Sequence, residues 1–171
     1  MNGSAPDIDA RRFRRVLGLF ATGVVAVTAL DPATGRPAGL AANSFTAVSL
    51  RPPLVSVSVA HTSTTWPRIR AARGHCINIL AGHQRGICLQ LATPGADKFC
   101  NVAWMASPAG HPILEGALGW LECAVEMEHE AGDHVIVISR VLRLDMRPDE
   151  PPLIFYQGGY GSFETAEVRS R

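Results

Sequence analysis

This sequence predicts a mostly β domain with a few short helices, arranged as a barrel or sandwich. Three observations carry that reading. About seven runs along the 171 residues have the length and patterning of strands. Helical spacing is confined to a few short stretches. Strands and helices do not alternate strictly, as a doubly wound parallel sheet would require. The length suits one domain over residues 1–171, with its core at about 11–163.

Asp7 and Asp9 precede Phe13, Val16, Leu17 and Phe20, whose spacing predicts an amphipathic helix over 8–20. Its other face carries Arg11, Arg12, Arg14 and Arg15, read either as a solvated face or as a phosphate contact. Residues 24–30 form a β-rich run, and Asp31-Pro32-Ala33-Thr34-Gly35 supplies turn residues before a partner strand at 37–42. Residues 54–60 (LVSVSVA) alternate apolar with small polar side chains, the pattern of a half-buried strand. A short helix over 64–73 tolerates Pro67 in its first turn, and 76–80 returns as a strand. A second short helix, 84–92, leads into a loop with Asp97-Lys98-Phe99. Long strands at 120–128 and 134–144 join across Glu130-Ala131-Gly132-Asp133, with Gly and Asp where a tight turn needs them. Residues 153–156 are the last strand, and the tail after Phe163 is expected to fray.

Charged residues make up 18% of the chain against 47% hydrophobic, whereas charged residues usually run near ~25%. Part of the apolar surplus is therefore expected under a second subunit. A net charge of +1 provides no field for nucleic acid or an anionic membrane, and neither is an expected partner. Cys76, Cys88, Cys100 and Cys123 form no CxxC pair and are expected as reduced, mostly buried thiols. The first fifteen residues lack an apolar signal core, and no run approaches the ~20 residues of a membrane span, so a cytoplasmic protein is expected.

Several chemistries are excluded by what is missing. No GxGxxG joins a strand to a helix, and Gly158-Gly159-Tyr160-Gly161 has no helix after it. The six histidines make no HExxH or metal-ligand cluster with cysteine, so no metal is expected. GxSxG is absent as well.

Two segments suit ligand chemistry. In residues 39–49, small polar and small apolar residues alternate, which lets backbone approach a flat ring that needs an apolar slot and a few hydrogen bonds. A polar strand end with a Pro-Pro turn explains that composition equally well. His61-Thr62-Ser63-Thr64-Thr65-Trp66 puts hydroxyls and backbone N–H groups where a helix begins, suited to phosphate or to a plain N-cap. Glu122, between Leu121 and Cys123, reads as solvent-facing; buried, it needs a partner. The three tryptophans read as core or interface.

Further pieces stand in order over residues 11–163. They are Phe13-Arg14-Arg15-Val16-Leu17-Gly18 with Phe20-Ala21-Thr22-Gly23-Val24, then Ala42-Asn43-Ser44-Phe45-Thr46 with Pro52-Pro53-Leu54-Val55, and Ser63-Thr64-Thr65. Asn78-Ile79-Leu80, Asp97-Lys98-Phe99, Leu114-Glu115-Gly116-Ala117, Trp120-Leu121-Glu122-Cys123, Gly132-Asp133-His134 and Pro152-Leu153 with Tyr156 follow. The ordered set resembles the flavin reductase-like, FMN-binding split-barrel family, which includes the short reductase components of two-component flavin monooxygenases.

The resemblance implies a dimeric split β-barrel of Greek-key type that binds FAD or FMN non-covalently and exchangeably. It implies NADH as hydride donor, a homodimer, and a partner monooxygenase that receives reduced flavin in secondary metabolism or aromatic degradation. Residue by residue, it places Asn43, Ser44, Phe45 and Thr46 along the ring and ribityl chain. It places Ser63, Thr64 and Thr65 at the phosphate, Asn78 and Ile79 at the ring pocket, and Phe99 at its border. Tyr156 and Tyr160 would reach the pocket from the last strand. His134 would position the nicotinamide as the catalytic residue; a structural histidine after a turn is the competing reading. The match loosens at Gln157-Gly158-Gly159-Tyr160, where many members read Arg-Gly-x-Tyr. A flavin-binding electron-transfer protein and a split-barrel oxidase that do not use NADH are the alternatives.

Overall fold

A computed structural model describes residues 8–95, 97–147 and 150–163. The expected frayed tail beyond Phe163 lies outside the described residues, as does Asp7. The elements in chain order begin α1 (Ala10–Leu17), β1 (Thr22–Gly23), β2 (Val25–Leu30), β3 (Pro37–Ala42), β4 (Thr46–Leu50) and β5 (Pro53–Ala60). They continue α2 (Trp66–Ala71), β6 (Gly74–Ile79), α3 (Arg85–Ala92), β7 (Trp104–Ala106) and β8 (Pro112–Leu114). The last are β9 (Gly119–Ala131), β10 (His134–Met146), β11 (Leu153–Tyr156) and β12 (Gly159–Ser162).

Seven strands make the main sheet, in the order β3-β2-β6-β9-β10-β5-β4. Its edge strands, β3 and β4, are consecutive in sequence and joined only by Asn43, Ser44 and Phe45, so the sheet curls back toward itself. Two smaller sheets, β1-β11-β12 and β7-β8, complete the strand content of the described residues.

Period-two alternation explains why β2 is a continuous apolar run rather than an alternating one. Val25, Val27 and Ala29 enter the main core with Val57, Ile77 and Val137, plugged by Trp66 and Ile69 of α2. Val24 and Ala26 point the other way, into a second core with Leu80, Leu91, Leu114 and Leu153. Each such large side chain contributes about 1.5–3 kcal/mol on burial. At Gly39 the second core comes so close that a Cβ would stand 3.0 Å from both Leu91 and Phe99. Three cysteines are buried and Cys100 is exposed; burial pushes the Cys76 and Cys123 thiols up to about 12.

Some elements differ from expectation. The first helix is shorter than 8–20: Asp9 caps it, accepting from the Arg11 and Arg12 N–H groups at 3.3 and 2.9 Å, and it ends at Gly18. The helix expected at 64–73 narrows to α2: Thr65 is its N-cap position, and the Ser63 hydroxyl accepts from the Trp66 N–H just before it. Strand β4 was hidden in the polar 39–49 segment; it is an edge strand with mostly exposed side chains, so it lacks a strong apolar stripe. The glycine-rich 158–161 segment enters strand β12 at Gly159, turned back on β11 by Gln157 (φ 50°) and Gly158 (φ 79°). Among the described residues, no helix is long and apolar enough to cross a membrane.

Candidate active site

Three connections meet at one end of the main sheet: the β3–β4 link, the loop from β5 into α2, and the β9–β10 hairpin. The register brings them together. Ala60 pairs with His134 and Ser58 with Ile136. The Ser44 hydroxyl accepts from the Ser58 N–H and donates to the Ser58 carbonyl, both at 3.0 Å, which pins the link to β5. From the other side the His61 N–H donates to the Asp133 carbonyl at 3.0 Å.

His134 stands on this rim, about two-fifths exposed. Its Nδ1 lies 2.7 Å from the Asp133 carboxylate. A carboxylate only accepts, so Nδ1 carries the proton and Nε2 is left as the ring's second polar atom. The bond to His134 holds the Asp133 carboxyl below its ordinary value. His61 Nε2 reaches Glu130 at 3.1 Å beside it.

The other expected site residues divide. Asn43, Thr46 and Thr64 are exposed. Ser44 is spent on Ser58, and Phe45 is half-buried against the main core. The Ser63 hydroxyl accepts from the Trp66 N–H at 3.1 Å as a helix cap, and Thr65 is buried. Asn78 departs furthest from its expected place. It is fully buried: its amide donates to Thr28 Oγ1 (3.0 Å) and the Ala26 carbonyl (3.3 Å), and its oxygen accepts from the Leu114 N–H (2.8 Å). With its bonds spent on β2 and β8, that side chain fastens the barrel rather than closing a ring pocket. Ile79 packs on the main core. Phe99 is half-buried and packs over Gly39 beside the second core. Tyr156 is exposed, whereas Tyr160 stacks edge-on with Phe155 at 5.2 Å under the Arg85 guanidinium. Burial, then its contact with Cys88, pushes the Tyr160 hydroxyl up to about 12.

Asn43 opens onto a groove of about 1490 Å³ between α1 and the β11–β12 turn. Arg11, Arg12, Arg14 and Arg15 line it, with Gln157 and Gly158 among the facing residues. Leu17, Leu19, Phe20 and Phe155 supply its apolar surface. Sequence reasoning left these arginines open between two readings, and nothing in the spacing revealed that they share a cavity with Asn43.

On the outer flank of β6 and β9 lies a sealed polar cluster. Glu122 is buried, not solvent-facing; it pairs with Arg143 and accepts from the Ala109 N–H at 2.8 Å. Burial works against its charge, but bonds from Ser107, Ala109 and Arg143 outweigh that and hold its carboxyl below the ordinary value. On the opposite face of β6, His75 is fully buried, 3.3 Å from the Ser139 hydroxyl; burial, then nearby His111, lowers it to about 4.

The flavin reductase like domain family matches residues 17–164. The chain belongs to that family. A flavin reductase of Pseudomonas putida is 46% identical over 156 residues, covering 91% of each chain. The reductase subunit HsaB of a flavin-dependent monooxygenase from Rhodococcus jostii (strain RHA1) is 42% identical over 161 residues, covering 94% of this chain and 82% of HsaB. Among solved structures, nitrilotriacetate monooxygenase component B from Mycobacterium thermoresistibile superposes with a TM-score of 0.88 at 38% identity, covering 98% and 95% of the two chains. The NADH:FAD oxidoreductase SgcE6 of Streptomyces globisporus C-1027 gives 0.84 at 33% identity, covering 96% and 99%. The fold is thus that of flavin reductases of this family.

Proposed function

We propose that this protein is an NADH-dependent flavin reductase that reduces exchangeable FAD or FMN and supplies it to a separate flavin-dependent monooxygenase. The family match over residues 17–164 carries the reading. The relatives named as monooxygenase reductase subunits and as an NADH:FAD oxidoreductase support the partner and the donor.

The rim suits a flat heteroaromatic ring with a hydrogen-bonding edge. Asn43 offers an amide with both donor and acceptor, and the adjoining groove offers apolar surface. When bound, flavin accepts a hydride from the nicotinamide and a proton from solvent, leaving NAD⁺ and reduced flavin. The chain's task is placement: hydride transfer needs the two rings in contact more than it needs an acid or base. Ser44 keeps the β3–β4 link rigid against β5, and so fixes Asn43 and Thr46 on the rim. Asp133 orients the His134 ring, which would position the nicotinamide amide through Nε2.

An exposed row on β10, Leu142, Leu144 and Met146, together with Leu50, supports a homodimer. Size-exclusion chromatography checks it, and a monomer contradicts it. The reductase reading is tested by adding NADH anaerobically to excess FAD or FMN with catalytic amounts of protein. Loss of the yellow absorbance over many turnovers is expected, faster with NADH than with NADPH. Persistent colour would leave a flavin-binding protein that does not use NADH.

A further inference from the structure

We infer that the groove between α1 and the β11–β12 turn binds the pyrophosphate of an adenine dinucleotide, with the α1 arginines as its ligands. The inference rests on the flavin reductase reading and deepens it, since both FAD and NADH carry that group.

Arg11, Arg12, Arg14 and Arg15, all on a helix of eight residues, line one cavity. Like charges so close repel, and a doubly charged anion between them relieves the repulsion. Arginine is also the side chain whose planar fork matches phosphate oxygens in pairs. Among the described residues the one acid in the lining is Asp9, and its carboxylate is already engaged by the Arg11 and Arg12 N–H groups as the cap of α1.

A basic helix face that merely dissolves in water needs no apolar floor, yet this one has Phe20, about three-quarters exposed, and Phe155. Aromatic faces are what an adenine ring stacks on. The volume points the same way: about 1490 Å³ is beyond the ~300–1,000 Å³ usual for a small ligand and suits a dinucleotide. Asn43 lies on the groove wall, so a ligand lying along it reaches the rim where the flavin chemistry is placed.

The test replaces Arg11, Arg12, Arg14 and Arg15 by Gln together, with Arg36→Gln on the exposed β2–β3 turn as control. Steady-state KM values are measured for FAD and FMN at saturating NADH, and for NADH with FMN as acceptor. Losing charge-assisted bonds to the pyrophosphate should raise one dinucleotide's KM by about tenfold or more. If FAD is the ligand, its KM rises while those for FMN and NADH follow the Arg36→Gln control. If NADH is the ligand, its KM rises and the FAD-to-FMN ratio stays. Calorimetric titration with ADP, which carries adenine and pyrophosphate alone, reads the groove without turnover. Wild-type binding that the fourfold variant loses is expected. ADP binding lost in that variant, in a protein that never reduces flavin, would uphold the groove and sink the reductase reading. Overturning results are turnover with KM values that match the control, or an equal loss with FMN, FAD and NADH accompanied by a lower melting temperature.

Discussion

Asn43 and Asn78 carry the same side chain and meet opposite fates. Asn78 lies on the sealed flank, where its amide bonds to β2 and the Leu114 backbone. Asn43 stands on the open rim, facing a large groove. The same division runs through the neighbouring polar groups. Glu122, Thr28 and His75 are enclosed, while Thr46, Thr64 and His134 are exposed or nearly so. Enclosed polar groups whose bonds are satisfied hold the barrel together; exposed ones beside a cavity keep bonding capacity for a ligand. Stability and flavin affinity should therefore separate cleanly between the two regions.

The largest expected effect is on the sealed side. Asn78→Ala strands the Leu114 N–H in the interior and empties the space its amide fills, while the Thr28 hydroxyl keeps its bond to the Pro112 carbonyl; the change should cost about 4 kcal/mol in chemical denaturation. A loss below ~1 kcal/mol would blur the distinction between the regions.

Acid should act on the enclosed polar groups through the opposite face of β6. His75 is held neutral down to about 4, while in the unfolded chain it protonates near the ordinary histidine value of 6.5. Between these values the unfolded state binds more protons, so stability falls as pH drops from 6.5 toward 4, by up to about 3 kcal/mol. Thermal melts across that window should show the slope, and His75→Leu should flatten it.

Glu122→Ala is expected to be milder. It leaves the Ala109 N–H without its acceptor, but Arg143 is half exposed and can turn to water, so the cost should be about 2 kcal/mol. Flavin KM should stay near the wild-type value in that variant. A several-fold rise would mean that the flank and the rim are coupled.

How far the sequence discloses this depends on which physical signal each element carries. Strands β2, β3, β10 and β11 announce themselves through apolar runs and turn residues, and Pro67 marks the first turn of α2. Strand β4 does not, because an exposed edge strand needs no apolar stripe. The candidate site is legible by residue type but not by commitment. Ser63 and Thr65 look as available as Thr64, yet one is a cap and the other is inside. Whether a hydroxyl or amide is spent depends on partners far along the chain, such as Thr28 for Asn78. The α1 arginines show the converse: their cluster is plain in sequence, but the wall facing them comes from residues more than a hundred positions later.

The most direct measurement is a flavin titration, followed by fluorescence quenching, of wild type and Asn43→Ala alongside their melting curves. Asn43→Ala is expected to weaken flavin binding by about tenfold while stability moves by less than ~0.5 kcal/mol. An unchanged Kd, or weaker binding that merely tracks a lower melting temperature, would contradict the placing of the flavin on the open rim.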